Sequence, residues 1–291
     1  MERARLGKGE KSMRAIVVTG ASSGIGEACA LRLDELGFKV FAGVRKVEDG
    51  EALRRKGSEQ LTPVLLDVTD ADSIASVARV VAEAVGEDGL AGLVNNAGIA
   101  VAGPLEFLPI EELRRQLEVN VVGQVAVTQA FLPMLRKAKG RVVNIGSVSG
   151  RVAVPLLGPY CASKFALEAL TAALRMELRP WGIAVSIIEP AGIATPIWEK
   201  SLARGDKLLT DLPAQAQERY GKMIAAQRKR AIKTGKHGIP VEEVVRPVVH
   251  ALISKRPRAR YPIGRTTRLG EILRLLPDRL RERIILRQLS R

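Results

Sequence analysis

The 291-residue sequence has only two cysteines and two histidines. Cys29 and Cys161 stand far apart and in no metal-ligand spacing, and His237 and His250 add too little for a structural metal site, so none is expected. Two isolated thiols fit a reducing compartment better than a disulfide scaffold, and a cytoplasmic protein is expected. Long hydrophobic runs are missing as well. Apolar stretches are broken by charges or helix breakers well short of the ~18–20 residues that a membrane span needs. No cationic start leads into an apolar signal core, so export is not expected. Residues 1–13 lack periodicity and are read as a flexible leader.

What is present is a globular composition, 46% hydrophobic, arranged in short apolar blocks separated by helical patterns. The formal net charge of +15 is unevenly placed. Residues 246–291 hold thirteen Lys and Arg against three acids, Glu271, Asp278 and Glu282. A basic end of this kind suits an anionic partner or a solvated face.

Strands are expected at residues 15–19, 39–44, 62–66, 90–95, 141–145, 184–188 and 260–263. Helical patterns lie between them at 27–36, at 70–83 with Asp70 as cap, at 109–137, at 158–179 and at 241–254. This alternation, with continuous apolar strands, specifies an α/β fold: a doubly wound parallel sheet, or Rossmann fold, in one domain over 14–264. Residues 191–240 break the rhythm with a loop and one or two helices, read as a substrate lid. Residues 265–291 read as a basic amphipathic extension, helical over 270–289 and interrupted at Pro277. In it Leu269, Ile272, Leu273, Leu276, Leu280, Ile284, Ile285 and Leu289 recur at helical spacing between arginines. Packing on the body or on another subunit is the default for this stripe, and peripheral contact with an anionic membrane the alternative. Nucleic-acid binding is not expected, because only Tyr261 lies near as a stacking aromatic.

The first strand runs into Thr19-Gly20-Ala21-Ser22-Ser23-Gly24-Ile25-Gly26, which opens a helix. Glycines at these positions let the backbone turn tightly and approach a pyrophosphate, which the helix N-terminus then stabilises. About 20 residues on, where an acid would bind the adenosine ribose of NAD, the chain reads Val44-Arg45-Lys46. A guanidinium there pairs with a 2′-phosphate, so NADP is expected ahead of NAD. Tyr160 and Lys164 lie four apart at the start of a helix, on one face. A lysine ammonium one turn away favours phenolate and should lower the tyrosine pKa into a working range for acid–base chemistry. Ser147, just after the fifth strand, is placed to donate a hydrogen bond to a substrate oxygen. Val152, Val154, Leu156, Leu157, Ile197 and Trp198 suit an apolar substrate wall.

Together with Asp67-Val68, Asn95-Asn96-Ala97-Gly98, Asn120 within Val119-Asn120-Val121, Tyr160-Cys161-Ala162-Ser163-Lys164 and Pro190-Ala191-Gly192-Ile193-Ala194-Thr195, these pieces resemble the short-chain dehydrogenase/reductase family. The resemblance covers roughly residues 14–200 and continues more weakly to about 264. It implies roles position by position. Tyr160 would be the general acid in reduction or base in oxidation, and Ser147 would polarise the carbonyl. Lys164 would also bind the nicotinamide ribose, and Asn120 would hold a water that relays protons to Lys164. Asn95 and its neighbours Ala97 and Gly98 would stabilise the central strand and line the adenosine ribose. Asp67 and Val68 would flank the adenine, and Pro190, Gly192, Ile193 and Thr195 would meet the nicotinamide. Ala191 is a small departure, since many members place glycine directly after the proline. The segments around Phe38–Arg45 and Glu189–Gly192 look most like the hydroxysteroid and retinol dehydrogenase branch, which implies an apolar alcohol or ketone and a homo-oligomer. A dinucleotide-binding sensor or a membrane-surface adaptor on the same fold is the competing reading, and the presence of Asn120, Ser147, Tyr160 and Lys164 together argues against it.

Overall fold

The computed structural model describes residues 14–289, without the side chains of Asp211, Arg265, Thr266, Arg268, Leu269, Glu271, Gln288 and Leu289; the expected leader lies outside them. In chain order the strands are β1 (Ala15–Val18), β2 (Lys39–Val44), β3 (Leu61–Leu65), β4 (Gly92–Asn95), β5 (Arg141–Ile145), β6 (Ala184–Pro190) and β7 (Arg260–Ile263). They form one seven-stranded sheet in the order β3-β2-β1-β4-β5-β6-β7, and every pairing is parallel. The order reverses between β1 and β4. In an open parallel sheet that reversal opens a crevice at the carboxyl ends of the strands.

Both faces of the sheet are covered, which is why its strands read as nearly unbroken apolar runs. Alternate residues of β1 serve opposite cores. Ile16 and Val18 pack with Cys29, Ala30 and Leu33 of α1 (Gly24–Glu35). Val244, Val248 and Leu252, from a later helix at Glu242–Ile253, complete that core. Ala15 and Val17 face the other way, onto α3 (Ala71–Val85), which follows the short α2 (Val47–Arg54). Asp70 caps α3 as expected, its carboxylate accepting from the backbone N–H groups of Asp72 and Ser73 at 2.9 and 3.2 Å.

The helix expected over 109–137 is instead two helices, α4 (Ile110–Leu117) and α5 (Gly123–Ala138), joined by a π-helical turn at Glu118–Val122. The face buried through this turn carries Gln116, Asn120 and Gln124, so no apolar period marks the break in the sequence. After β5 comes α6 (Gly158–Leu178), and after β6 come α7 (Ile197–Asp211) and α8 (Ala214–His237), then α9 (Glu242–Ile253). Beyond β7 the chain ends in α10 (Arg265–Arg274) and α11 (Asp278–Leu289), with the break at the expected proline. Leu273 and Ile285 of these last helices are buried with Val152, and Leu276 and Ile284 pack at the edge of the same cluster.

Candidate active site

A cleft of about 1770 Å³ opens at the carboxyl ends of the strands, at the β1–β4 reversal. Gly20, Ser22, Ser23, Gly24 and Ile25 line it, with Arg45, Asp67, Val68, Ala97, Gly98, Asn120, Ser147, Tyr160, Lys164, Pro190, Gly192, Ile193 and Thr195. The structure therefore gathers nearly all the expected site residues on one surface. Gly26 and Asn95 are the exceptions.

Gly26 faces the turn itself, where an added Cβ would lie 2.3 Å from the Gly20 carbonyl oxygen. Its use is close approach of helix to loop, not contact with a ligand. Gly24 sits at φ +61°, a left-handed conformation that other residues rarely adopt. No side-chain cap satisfies the first turn of α1, so its N–H groups remain available to an anion.

Asn95 is turned into the sheet, and the expectation that it lines the adenosine ribose is corrected. Its Nδ2 donates to Thr128 Oγ1 at 2.8 Å and Asn144 Oδ1 at 2.9 Å, and Asn144 donates onward to Thr171 Oγ1 at 2.8 Å. This buried chain ties β4 and β5 to α5 and α6. The neighbour Asn96 does the work at the cleft: its Nδ2 donates to the carbonyl oxygens of Thr19 and Gly20 at 2.9 and 3.0 Å and fixes the glycine turn. The doubled asparagine gave no signal as to which of the two would face the cleft.

On the opposite wall Ser147 leaves β5 and caps a 3₁₀ turn, its Oγ accepting from the Ser149 N–H at 3.1 Å. Tyr160 and Lys164 project from the first turns of α6, with the Lys164 Nζ 5.8 Å from the Tyr160 ring centroid. Nζ donates to the Ile145 carbonyl at 2.7 Å. Burial pushes the Tyr160 phenol up to about 12, against a hydrogen bond from Ser147 that lowers it. The lowering expected from Lys164 is not among the causes of this shift, chief among which are loss of solvation, raising the phenol, and the Ser147 hydrogen bond, lowering it. Burial likewise pushes the Lys164 ammonium down to about 8, with the Glu168 carboxylate opposing.

Asn120 lies inside the π turn and is fully buried. Its Oδ1 accepts from the Ile99 N–H at 2.8 Å, while Nδ2 donates to the Ile99 carbonyl at 3.0 Å and Ser163 Oγ at 3.2 Å. Ser163 donates to the Tyr160 carbonyl at 2.7 Å. These bonds tie Asn120 to the start of α6. Gln116 of α4, which the sequence did not reveal, joins the same junction through Val101, Ile99 and Ser163.

A second feature invisible in the sequence lies under Lys164. Glu189 of β6 accepts from Arg151 Nε at 2.6 Å and from Arg260 Nη1 at 3.0 Å, and Arg260 also donates to Glu168 at 2.5 Å. Two buried acids are thus paired with two partly exposed arginines, with Glu168 one helical turn from Lys164. Burial and the nearby Glu189 push the Glu168 carboxyl up to about 7.

Of the expected apolar wall, Val152, Val154, Leu157, Ile197 and Trp198 line the cleft. Leu156 does not: it is buried at φ +64° and its carbonyl accepts from the Gly103 N–H at 2.8 Å. Leu273 and Ile285 of the basic tail line the cleft in addition.

A nucleotide cradle at the sheet reversal, facing a tyrosine and a buried lysine one turn apart, defines a dinucleotide-dependent oxidoreductase. A family profile described as short chain dehydrogenase matches residues 14–205. The chain is 38% identical over 285 residues to the NADPH-dependent 3-dehydrocapnine reductase of Ornithobacterium rhinotracheale, covering 96% of this chain and 98% of that protein. It is 41% identical over 255 residues to retinol dehydrogenase 5 of Mus musculus, covering 86% and 80% respectively. A short chain dehydrogenase from Burkholderia cenocepacia J2315, solved in complex with NADP, superposes with a TM-score of 0.71 at 27% identity, over 94% of this chain and 97% of that one. The protein belongs to the short-chain dehydrogenase/reductase family and is an NAD(P)-dependent oxidoreductase.

Proposed function

We propose that the protein interconverts a hydrophobic ketone and its secondary alcohol, with NADP(H) as the preferred cofactor. The observation that carries this reading is the single cleft in which Ser147, Tyr160 and Lys164 face an apolar wall of Val152, Val154, Leu157, Leu273 and Ile285. The NADPH dependence in the name of the Ornithobacterium relative and the exposed Arg45 at the end of β2 support NADP over NAD.

The glycine turn and the first turn of α1 would hold the pyrophosphate, Arg45 the 2′-phosphate, Asp67 and Val68 the adenine side, and residues 190–195 the nicotinamide. Bound there, the cofactor supplies or accepts the hydride. Tyr160 donates its phenolic proton to the carbonyl oxygen in reduction and takes it back in oxidation. Ser147 holds that oxygen by a hydrogen bond. Lys164 keeps a positive charge beside the phenol, which favours the phenolate left after proton transfer. Asn120, through Ser163, keeps the start of α6 in register with this geometry. α7 and α8 form the lid that keeps water from the reacting atoms.

Two further parts of the reading concern partners and place. Exposed Phe165, Leu170 and Met176 along α6 support a homo-oligomer. Exposed Ile272, Leu275 and Leu280 in the basic tail support peripheral contact with anionic membrane. The free, buried Cys29 and Cys161 support the cytoplasm; among the described residues no helix is long and apolar enough to cross a membrane.

The test is NADPH oxidation against steroid, retinoid, long-chain acyl and small ketones, with Tyr160→Phe as control. We expect turnover of apolar ketones and its loss by a factor of about 10² or more in Tyr160→Phe, with cofactor binding kept. Full activity in that variant would remove the mechanism.

A further inference from the structure

The inner face of α8 has a charge pattern that reduction of a neutral ketone does not require. Ala226, Lys229, Arg230, Lys233, Thr234 and His237 all line the cleft. They fall at i, i+3, i+4, i+7, i+8 and i+11, so they form one stripe along a single helix. Among the described residues, the side chains of Lys229, Arg230 and Lys233 have no carboxylate partner. The contrast on the same helix is informative: Arg219 and Arg228, away from the cleft lining, are paired with Glu106 and Asp206. Arg204, which reaches the cleft from α7, is likewise paired with Glu112. Lys229 and Lys233 are like charges one turn apart, an arrangement that disfavours the helix unless an anion lies between them.

The stripe is held against the reacting end of the cleft. The Ile239 N–H donates to the Gly192 carbonyl and the Ala194 N–H to the Ile239 carbonyl, both at 3.0 Å. An added Cβ on Gly192 would come within 2.5 Å of the Thr234 methyl. The same cleft is lined by the apolar Val152, Val154, Leu157, Leu273 and Ile285. The carboxylates among the described lining residues are Asp67 and Glu118, at the end of β3 and in the π turn. The cofactor phosphates have other donors: the open turn of α1, and Lys200, whose Nζ lies 3.2 Å from Ser23 Oγ.

We propose that the substrate is an amphiphile whose acid group, a sulfonate, phosphate or carboxylate a few carbons from the carbonyl, is held by Lys229, Arg230 and Lys233, while its hydrocarbon part lies on Val152, Leu273 and Ile285. This rests on the ketone reductase reading above and narrows it to anionic lipid-like ketones. Charge-assisted hydrogen bonds supply the recognition of the head and apolar contact that of the chain.

The test compares, at saturating NADPH, long-chain ketones bearing a sulfonate two to four carbons from the carbonyl with uncharged ketones of equal chain length. The full-length protein should turn over the sulfonated ketone with kcat/KM at least about tenfold higher, as expected for one or more charge-assisted hydrogen bonds. Lys229→Gln with Arg230→Gln and Lys233→Gln should bring that ratio towards one. As a measurement that needs no variant, the KM of the sulfonated ketone should rise with added NaCl and that of the uncharged ketone should not. Equal turnover of both ketones by the wild type overturns the inference and leaves the reductase reading standing. So does a triple variant that raises the KM for NADPH while keeping the ketone ratio, because the cations would then read the cofactor. Turnover of neither ketone, nor of any ketone in the wider panel, overturns the reductase reading and the inference with it.

Discussion

Tyr160 and Lys164 are moved in opposite directions by the same burial, and the consequence for pH is specific. The phenol keeps its proton to about 12, whereas the lysine loses its own above about 8. Reduction needs a protonated Tyr160 and a cationic Lys164, so both conditions hold below about 8 and the first to fail on raising pH is the lysine. At saturating NADPH the reduction rate should be level near neutrality and fall about tenfold per pH unit above about 8. Glu168 raises the lysine pKa, so Glu168→Gln should move this limb to lower pH; a purely structural loss would lower the rate without moving it. An unmoved limb would separate the Arg151–Glu168–Glu189–Arg260 group from catalysis. Arg45 is a second residue whose role can be isolated. Arg45→Asp removes a charged partner of the 2′-phosphate and supplies an acceptor for ribose hydroxyls. The ratio of kcat/KM for NADPH over NADH should therefore fall by about ten- to a hundredfold, and an unchanged ratio would show that Arg45 does not read the phosphate.

At the level of elements, what could be read beforehand was whatever depends on a local period or a local cap. The continuous apolar runs of β1, β2 and β5 fall at the strands the structure shows, because each is buried on both faces. Asp70 announces α3 by a mechanism confined to four residues. Short α2 carried no such mark: only Gly50 and Leu53 of its eight residues are buried, too few to set a period. The π turn at Glu118–Val122 was hidden because the side chains buried through it, Gln116, Asn120 and Gln124, are polar and set no apolar period. What stabilises the turn is Asn120 bonding to Ile99, 21 residues away, and Ser163, 43 residues away. The charge group of Arg151, Glu168, Glu189 and Arg260 left no mark in the sequence. Arg260 is 92 residues from Glu168 and 71 from Glu189, and only the β6–β7 pairing makes them neighbours. Motif residues and local periods could be seen in the chain, but the long-range bonds that aim them could not.

The whole molecule joins substrate cavity and basic tail, and this changes what the tail can be. As sequence it presented one apolar stripe with two competing uses. In the fold the stripe divides: Leu273 and Ile285 close the cleft against Val152, whereas Ile272, Leu275 and Leu280 remain exposed, Leu275 at 77%; Leu269 and Leu289 fall outside the described side chains. Arg279, Arg283 and Arg287 stand on α11 beside the exposed set. Each arginine near an anionic surface contributes about 1 kcal/mol, and an exposed leucine that becomes buried in the acyl boundary about 1.5–3 kcal/mol. These terms together suffice for reversible binding, and the electrostatic part is screened at high salt. The protein should therefore float with phosphatidylglycerol vesicles at low ionic strength and be released by 0.5 M salt, a value set by ~3–10 Å screening lengths. Leu275→Glu with Leu280→Glu should abolish flotation and leave NADPH turnover of a small water-soluble ketone, because neither side chain is among those lining the cleft. Truncation after Gly264 should lose both, because it also removes Leu273 and Ile285 from the substrate wall. Absence of flotation in the wild type at low salt would end the membrane reading. Loss of turnover in the double glutamate variant would instead show that the exposed half of the tail also supports the cavity. The division matters because a lipid-like substrate would then meet the protein at the same helices that seat it on the membrane and wall its cleft.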